Sequence, residues 1–320
     1  MEKSIKNNIS LFFIMIYLTA CTSTQVPDEE VSFEFKDALN DPISMNNPTP
    51  VQVPTENSQF DSNFKFNILS SYALNNSKAA AAGKTRNKGV PPILLLHHTA
   101  IDFTKVGANQ RGVSQEKNPD RTASVHFGIQ NNGTVDKFLN TDLAGQHIYT
   151  QLSGIHVLGE VWRNKPINRS SFGVEIYYCP AADECKLPKD QEPSDAQVQS
   201  LAKLMIHLEK EFQITPNKVF FHGEVQPTKD GERENEPRYL VFNPLLNGQI
   251  SINQRWYTLI GLVRAGGGYK TGEFASMSDK DVAMYILKNN FKNAMKTLEQ
   301  YSEGGSPRYL RYKKFLEANP

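Results

Sequence analysis

The feature that most constrains the fold is a run of four aliphatic residues, Ile93–Leu96, that leads directly into His97 and His98. A continuous apolar run entered through two prolines is typical of a strand buried on both faces of a sheet. The polar end of such a strand lies at the edge of the sheet, where open α/β folds place their sites. A neutral imidazole on a rigid strand is a good metal ligand, so the sequence predicts a metal site here if other segments supply further ligands.

The charge balance argues against nucleic acid as a partner. The 320 residues include 35 Lys and Arg against 34 Asp and Glu, which gives a net charge of +1. A chain so nearly neutral, without a long basic run, offers no electrostatic footprint for a phosphate backbone. Its length allows one large domain or two modest ones, with a substantial core.

The N-terminus has the pattern of an export signal. Two lysines precede an apolar stretch that is too short for a comfortable membrane span. The following Leu-Thr-Ala-Cys21 resembles the bacterial lipobox, which implies a signal peptide over residues 1–21 and a lipid anchor on Cys21. A simple signal-anchor with an incidental cysteine is the alternative. Because Thr22 rather than Asp follows the cysteine, we expect a cell-envelope protein, lipid-anchored in the outer membrane and facing the periplasm.

The remaining chain divides into a tether and a folded part. Residues 22–60 are polar and proline-rich, which predicts a flexible tether. Two alternating runs around Asn132-Gly133 predict a β-hairpin, and Ser171–Tyr178 predicts an inner strand interrupted by Glu175. A catalytic domain is expected over residues 61–245, and a mostly helical extension over 246–320.

Helix signals are clear in the second half of the chain. Ser194, followed three residues later by Gln197, is a capping box that opens a helix with one buried stripe. Helical periodicity also covers Lys280 to Tyr301, and Tyr309–Leu316 predicts a final short helix.

A second apolar strand ends in His222, and Asp230 follows eight positions later. Two imidazoles and one carboxylate, with a fourth position for water, are typical of a catalytic zinc site. A carboxylate in an apolar strand is costly without a partner or a task. We therefore expect Glu175 to act as general base beside a zinc-bound water.

Four segments occur in an order that resembles a known family: Leu-Leu-Leu-His97-His98-Thr-Ala, Ser-Val-His126-Phe with Asn-Asn-Gly-Thr-Val, Ser171-Phe-Gly-Val-Glu175-Ile, and Phe-His222-Gly-Glu-Val-Gln-Pro-Thr228-Lys229-Asp230. They look like the zinc-dependent N-acetylmuramoyl-L-alanine amidases related to phage lysozyme-type amidases and peptidoglycan recognition proteins. The resemblance spans roughly Pro91 to Tyr239. It implies Zn²⁺ as cofactor, with His97, His222 and Asp230 as ligands and Glu175 as catalytic residue. It also implies that Thr228 or Lys229 assists the oxyanion, without deciding between them.

The resemblance further implies the fold and the reaction. The fold would be α/β (α+β), with a central mixed sheet flanked by helices, the zinc site at the strand ends and a helical C-terminal extension. The reaction would be hydrolysis of the amide bond between N-acetylmuramic acid and L-alanine in peptidoglycan. The alternatives are a non-catalytic peptidoglycan-binding protein on the same fold and a zinc peptidase of the stem peptide.

Other residues are less well defined by these motifs. Three histidines are candidates for substrate contact: His98, His126 and His156. Packing is the alternative for His98, and a structural hydrogen bond is the alternative for His126. The family pattern places a site histidine between the hairpin and the Glu175 strand, and His156 fits it better than His147. Cys179 and Cys185 are either a local disulfide or two free thiols.

Overall fold

The computed structural model describes residues 68–70, 85–86, 92–99, 125–145, 147–148, 154–155, 167–177, 192–227 and 237–320. All of them belong to one compact unit, Glu56–Pro320. Several features of the sequence analysis lie outside the described residues: the signal peptide, the tether, Cys21, His156, Cys179, Cys185 and Thr228–Asp230.

The centre of the fold is a six-stranded mixed sheet. Its strands are β1 Ile68–Ser70, β2 Ile93–Thr99, β3 Phe127–Ile129, β4 Val135–Lys137, β5 Ser171–Tyr177 and β6 Val219–Phe221. They lie in the order β1-β4-β3-β5-β2-β6. Only the β3–β4 pair is antiparallel among these pairings. The expected α/β (α+β) fold with a mixed sheet and a helical C-terminal part is confirmed.

Strand β2 is buried on both faces, as the apolar run predicted. Each of the residues Ile93–Leu96 is 0% exposed. Leu94 and Leu96 belong to the larger core, whereas Ile93 and Leu95 belong to a smaller core on the opposite face. Burial of one such side chain contributes about 1.5–3 kcal/mol, so this strand is held firmly between two layers. Its C-terminal end is a rigid platform for His97.

The β3–β4 hairpin forms at the predicted Asn-Gly turn. Gly133 has a φ of +83°, which a side chain would disfavour. Its backbone N–H donates to the carbonyl of Gln130 at 2.8 Å. A Cβ at this position would lie 2.7 Å from the carbonyl oxygen of Ala196. The glycine is therefore required both by the turn and by the close approach of the following helix.

Five α-helices accompany the sheet in the described part of the chain: α1 Asp195–Phe212, α2 His222–Val225, α3 Gln254–Ala265, α4 Asp279–Gln300 and α5 Pro307–Ala318. The capping box at the start of α1 is present, with both Ser194 and Gln197 in the predicted roles. Short 3₁₀ turns cover Ile167–Arg169, Pro216–Lys218 and Gly272–Phe274. Within these described residues, none of the helices combines the length and apolarity needed to cross a membrane.

The C-terminal helices complete the larger core. Trp256, Phe291 and Tyr312 are each 0% exposed and lie in the same cluster as Leu94 and Phe221. Residues beyond the predicted boundary at 245 thus share one hydrophobic core with the sheet. This packing brings side chains of α4 and α5 next to β6 and α2.

Asn290 of α4 binds the backbone of β6, which lies at the edge of the sheet. Its Oδ1 accepts the backbone N–H of Phe221 at 2.7 Å, and its Nδ2 donates to the carbonyl of Val219 at 3.0 Å. One amide side chain thus supplies the edge strand with a donor and an acceptor, as a neighbouring strand would.

Candidate metal and catalytic site

The strand register places His97 and Glu175 side by side. β2 and β5 are parallel, and His97 is paired with Glu175. Paired residues of neighbouring strands point to the same face of a sheet. On the other side of Glu175 the register partner is Gly128, which has no side chain. Glu175 is partly exposed rather than buried.

His222 reaches the same place from β6. It follows Phe221 directly and is the first residue of α2. The ring centroids of His97 and His222 are 4.5 Å apart. The two residues are 3% and 2% exposed. The structure therefore brings together the two predicted histidine ligands from segments far apart in the sequence.

A third histidine, His147, joins this pair. The Nδ1 of His147 lies 3.0 Å from the Nε2 of His97. His97, His147 and His222 are called the histidine cluster below. The sequence analysis favoured His156 over His147 for a site position; the structure places His147 in contact with His97, and His156 lies outside the described residues. The backbone N–H of His147 donates to the Oδ1 of Asn168 at 3.1 Å, so His147 is held by the 3₁₀ turn that precedes β5.

Gly173 makes room for the ring of His147. A Cβ at Gly173 would lie 2.9 Å from the imidazole, closer than real Cβ contacts allow. This glycine stands two positions before Glu175 and so faces the same side of the sheet. A glycine two positions before Glu175, in a strand of otherwise bulky residues, was the sequence signal that the ring of another residue packs on this strand.

The hydrogen bonds fix the tautomers of His147 and His97. The hydroxyl of Ser171 donates to the carbonyl of Ile167 at 2.7 Å, so its oxygen accepts from the Nε2 of His147 at 3.1 Å. Burial lowers the pKa of His147 well below its ordinary value, and the neighbouring His126 and His222 lower it further. A neutral His147 with its proton on Nε2 accepts at Nδ1. The Nε2 of His97 must therefore donate, and its lone pair is on Nδ1.

His222 has the same arrangement. Its Nε2 lies 2.7 Å from the Oε1 of Gln226, an oxygen that only accepts. The proton of His222 is therefore on Nε2 and the lone pair on Nδ1. Histidines that ligate a metal characteristically donate their other ring N–H to a protein acceptor, which fixes the tautomer and the ring orientation. Both predicted ligands meet this requirement.

His126 lies close to the histidine cluster, but its ring nitrogens bind backbone groups. It is 0% exposed, and its Nε2 lies 3.0 Å from the carbonyl of Leu143. Its Nδ1 accepts the backbone N–H of Gly173 at 3.3 Å. Burial lowers the pKa of His126 to about 4, against the bond to Leu143, which raises it. With both ring nitrogens bound to backbone, His126 fits the structural alternative.

His98 points away from the cluster. Successive side chains of a strand face opposite sides of the sheet, so His98 lies on the side of Leu96 and Ile176 rather than that of His97. The structure does not bring it together with His97 and His222.

The described residues fit part of a zinc site. They contain no group of three His, Cys, Asp or Glu side chains arranged to hold a metal. The predicted third ligand, Asp230, is outside the described residues. What the described part does hold is two buried imidazoles with their lone pairs on Nδ1, and neutral imidazole nitrogen is a preferred zinc ligand. The donor set at His97 and His222 fits zinc.

Comparisons with known proteins found a family match and several similar solved structures. Residues 87–238 match the family described as N-acetylmuramoyl-L-alanine amidase. Similar solved structures include the N-acetylmuramoyl-L-alanine amidase LysC from Clostridium intestinale URNW, at 17% identity and a TM-score of 0.32, covering 50% of this chain and 84% of that one. A selenomethionine derivative of AmpD is similar at 17% identity and a TM-score of 0.35, covering 46% and 80%. Peptidoglycan recognition protein-LE in complex with tracheal cytotoxin is similar at 14% identity and a TM-score of 0.33, covering 49% and 83%. No curated protein matches the chain.

Proposed function

We propose that this chain is a zinc-dependent peptidoglycan amidase, on the premise that its residues 87–238 match the family described as N-acetylmuramoyl-L-alanine amidase. The bond hydrolysed is the amide between the lactyl group of N-acetylmuramic acid and L-alanine. The observation that carries the proposal is the convergence of His97 and His222, with Glu175 beside His97 on the next strand.

The metal would be held by His97 and His222 through Nδ1, and by Asp230 as the third ligand. Bound zinc supplies Lewis acidity, which lowers the pKa of a water toward neutrality and polarises the scissile carbonyl. The chain's own contribution is to hold each imidazole in one tautomer, through His147 on one side and Gln226 on the other. No ring reorganisation is then needed when the metal binds.

Glu175 would move the protons of the reaction. Its carboxylate accepts a proton from water as the water oxygen attacks the amide carbon. The C–N bond then breaks, and Glu175 returns the proton to the departing amine of L-alanine. The products are a lactyl carboxylate on the glycan and a peptide with a free N-terminal alanine. Thr228 or Lys229 would stabilise the oxyanion.

Digestion of purified sacculi by the zinc-loaded protein tests the proposal. Mass spectrometry should detect released peptides that begin with L-alanine. Glu175→Gln should bind zinc like the wild type and lose activity by about 10²–10⁴-fold, the usual contribution of a general acid–base. Glu317→Gln, at an exposed position of α5, is the matched control and should keep wild-type activity.

Three results would contradict parts of the proposal. Retention on sacculi without any released peptide would indicate a binding protein. Release of peptides cut elsewhere in the stem would indicate a zinc peptidase. Full activity of Glu175→Gln would remove Glu175 from the catalytic step.

We also propose that the protein is an envelope lipoprotein anchored through Cys21 in the outer membrane. The supporting observation is the lipobox-like sequence that ends in Cys21, followed by Thr22. Metabolic labelling with a radioactive fatty acid should mark the full chain, and Cys21→Ser should abolish the label. Labelled protein found only in inner-membrane fractions would contradict the outer-membrane assignment.

A further inference from the structure

The short helix that carries His222 is bound by the last helix of the chain. The guanidinium of Arg308, in α5, donates through Nη2 to the carbonyl of Gly223 at 3.0 Å and through Nη1 to the carbonyl of Pro227 at 2.8 Å. Both carbonyls flank Gln226, whose side chain accepts the Nε2 proton of His222. The rigid guanidinium of Arg308 therefore binds the backbone on both sides of Gln226, the hydrogen-bond partner of His222.

Two further side chains hold the same helix. Asn293 of α4 donates to the carbonyl of Glu224 at 3.2 Å. Tyr312 of α5 donates its hydroxyl proton to the Oε1 of Glu224 at 3.0 Å, and its oxygen accepts from the Nε of Arg308 at 2.8 Å. Asn293, Arg308 and Tyr312 are called the C-terminal clamp below. All three members are buried, at 0%, 8% and 0% exposed.

Helix α2 depends on these contacts because it is too short to be stable by itself. α2 has four residues, far fewer than an isolated helix requires for stability in water. The last carbonyls of a helix have no partners inside it. In α2 the clamp binds the carbonyls of Gly223 and Glu224, and the backbone N–H of Gly154 binds that of Val225. Arg308 also lies 3.9 Å from the buried carboxylate of Glu224, so the clamp includes an ion pair away from water.

We infer that the C-terminal clamp positions His222 for metal binding, so that Arg308 is a positioning residue of the zinc site although it lies outside residues 87–238. The inference rests on the proposed function, because it assigns the clamp to the same site. The clamp fixes the backbone of α2 and of Pro227, and with them the position of Gln226, the acceptor of the His222 proton.

Zinc affinity and hydrogen–deuterium exchange of the full-length protein test the inference. Competition with a chromophoric chelator should show that Arg308→Ala weakens zinc binding about tenfold, the scale typical of residues that support metal ligands. Exchange of the amides between residues 222 and 227 should become faster in the metal-free protein. Arg308→Lys keeps the charge but cannot bridge two carbonyls, so it should restore only part of the affinity.

Arg264 offers a matched control. It is also a buried guanidinium, 6% exposed, that donates to the carbonyls of Tyr269, Phe274 and Met277 and to Asp279. Arg264→Ala should lower the melting temperature as Arg308→Ala does, yet leave zinc affinity and exchange of residues 222–227 unchanged. A purely structural role of Arg308 would make the two variants alike.

Tyr312→Phe covers the case in which Arg308→Ala does not fold, since it keeps the ring and removes only the hydroxyl. The inference is overturned if the folded clamp variants keep both wild-type zinc affinity and wild-type exchange. If the wild type itself binds no zinc, the proposed function fails, and the exchange of residues 222–227 alone decides whether the clamp orders α2.

Discussion

His126 makes the folded protein sensitive to acid. Its pKa is 6.5 in an ordinary environment and about 4 in the buried site. Between these two values the unfolded chain binds a proton at His126 and the folded chain does not. The free energy of unfolding therefore falls as the pH is lowered through this window, and the loss levels off below about pH 4, where both states are protonated.

The two pKa values set the size of the effect. Lowering the pH from 7 to 5 should cost about 2 kcal/mol through His126 alone, because one pKa unit corresponds to about 1.4 kcal/mol. His126→Gln removes the titration but keeps the bonding pattern. Its amide N–H can donate to the carbonyl of Leu143, and its amide oxygen can accept the N–H of Gly173, as the imidazole does.

Urea unfolding at pH 7, 6 and 5 in the presence of a chelator measures this contribution without metal binding. The wild type should lose about 2 kcal/mol more than His126→Gln over that range. His147 also has a lowered pKa and destabilises in the same direction. Burial, the largest cause of that lowering, is the same in both proteins, so most of the effect of His147 cancels in the difference. Equal losses in the two proteins would refute the assignment of a neutral, buried His126.

Three further substitutions test other parts of the structure. Gly173→Ala would place a Cβ 2.9 Å from the ring of His147. It should lower the free energy of unfolding by about 1–3 kcal/mol in thermal melts and weaken zinc binding. A fully stable variant with normal zinc affinity would show that the ring is free to move. Ser171→Ala removes the acceptor of the His147 Nε2 proton, so ¹⁵N NMR of the His147 imidazole should show mixed tautomers. Unchanged nitrogen chemical shifts of that ring would contradict the proton assignments. Ser194→Ala removes the N-cap of α1 and should lower the free energy of unfolding in urea by about 1 kcal/mol. A loss near zero would show that the rest of the helix compensates.

The elements that sequence analysis predicted well are those with local signals. The buried strand at Ile93–Leu96, the Asn-Gly hairpin and the capping box of α1 each depend on residues within a few positions of one another. The meeting of His97 and His222 was also predictable, because both follow apolar strands that end at the same side of a parallel sheet.

The parts that sequence analysis missed depend on tertiary contacts. His147 lies in an irregular segment with no periodicity, and its packing on Gly173 and its backbone bond to Asn168 bring it to His97. The side-chain direction of His126 follows from its place just before β3, which a pattern of alternation does not fix. Arg308 reaches Gly223 over a sequence separation of 85 residues, and its helical surroundings carry no hint of that partner. Such partners are selected by the packing of the whole core.

The bonds between Asn290 and β6 bear on how this protein avoids association with copies of itself. A sheet edge with open N–H and C=O groups is a template for strands of other molecules, and chains manage that hazard by covering the edge. Here an amide on α4 occupies the groups of Val219 and Phe221 that an incoming strand would use. A protein shortened to the family-matched residues would expose that edge, together with the apolar surface against which Phe291 packs. The family-matched residues thus end before α4, the helix that covers this edge of the sheet.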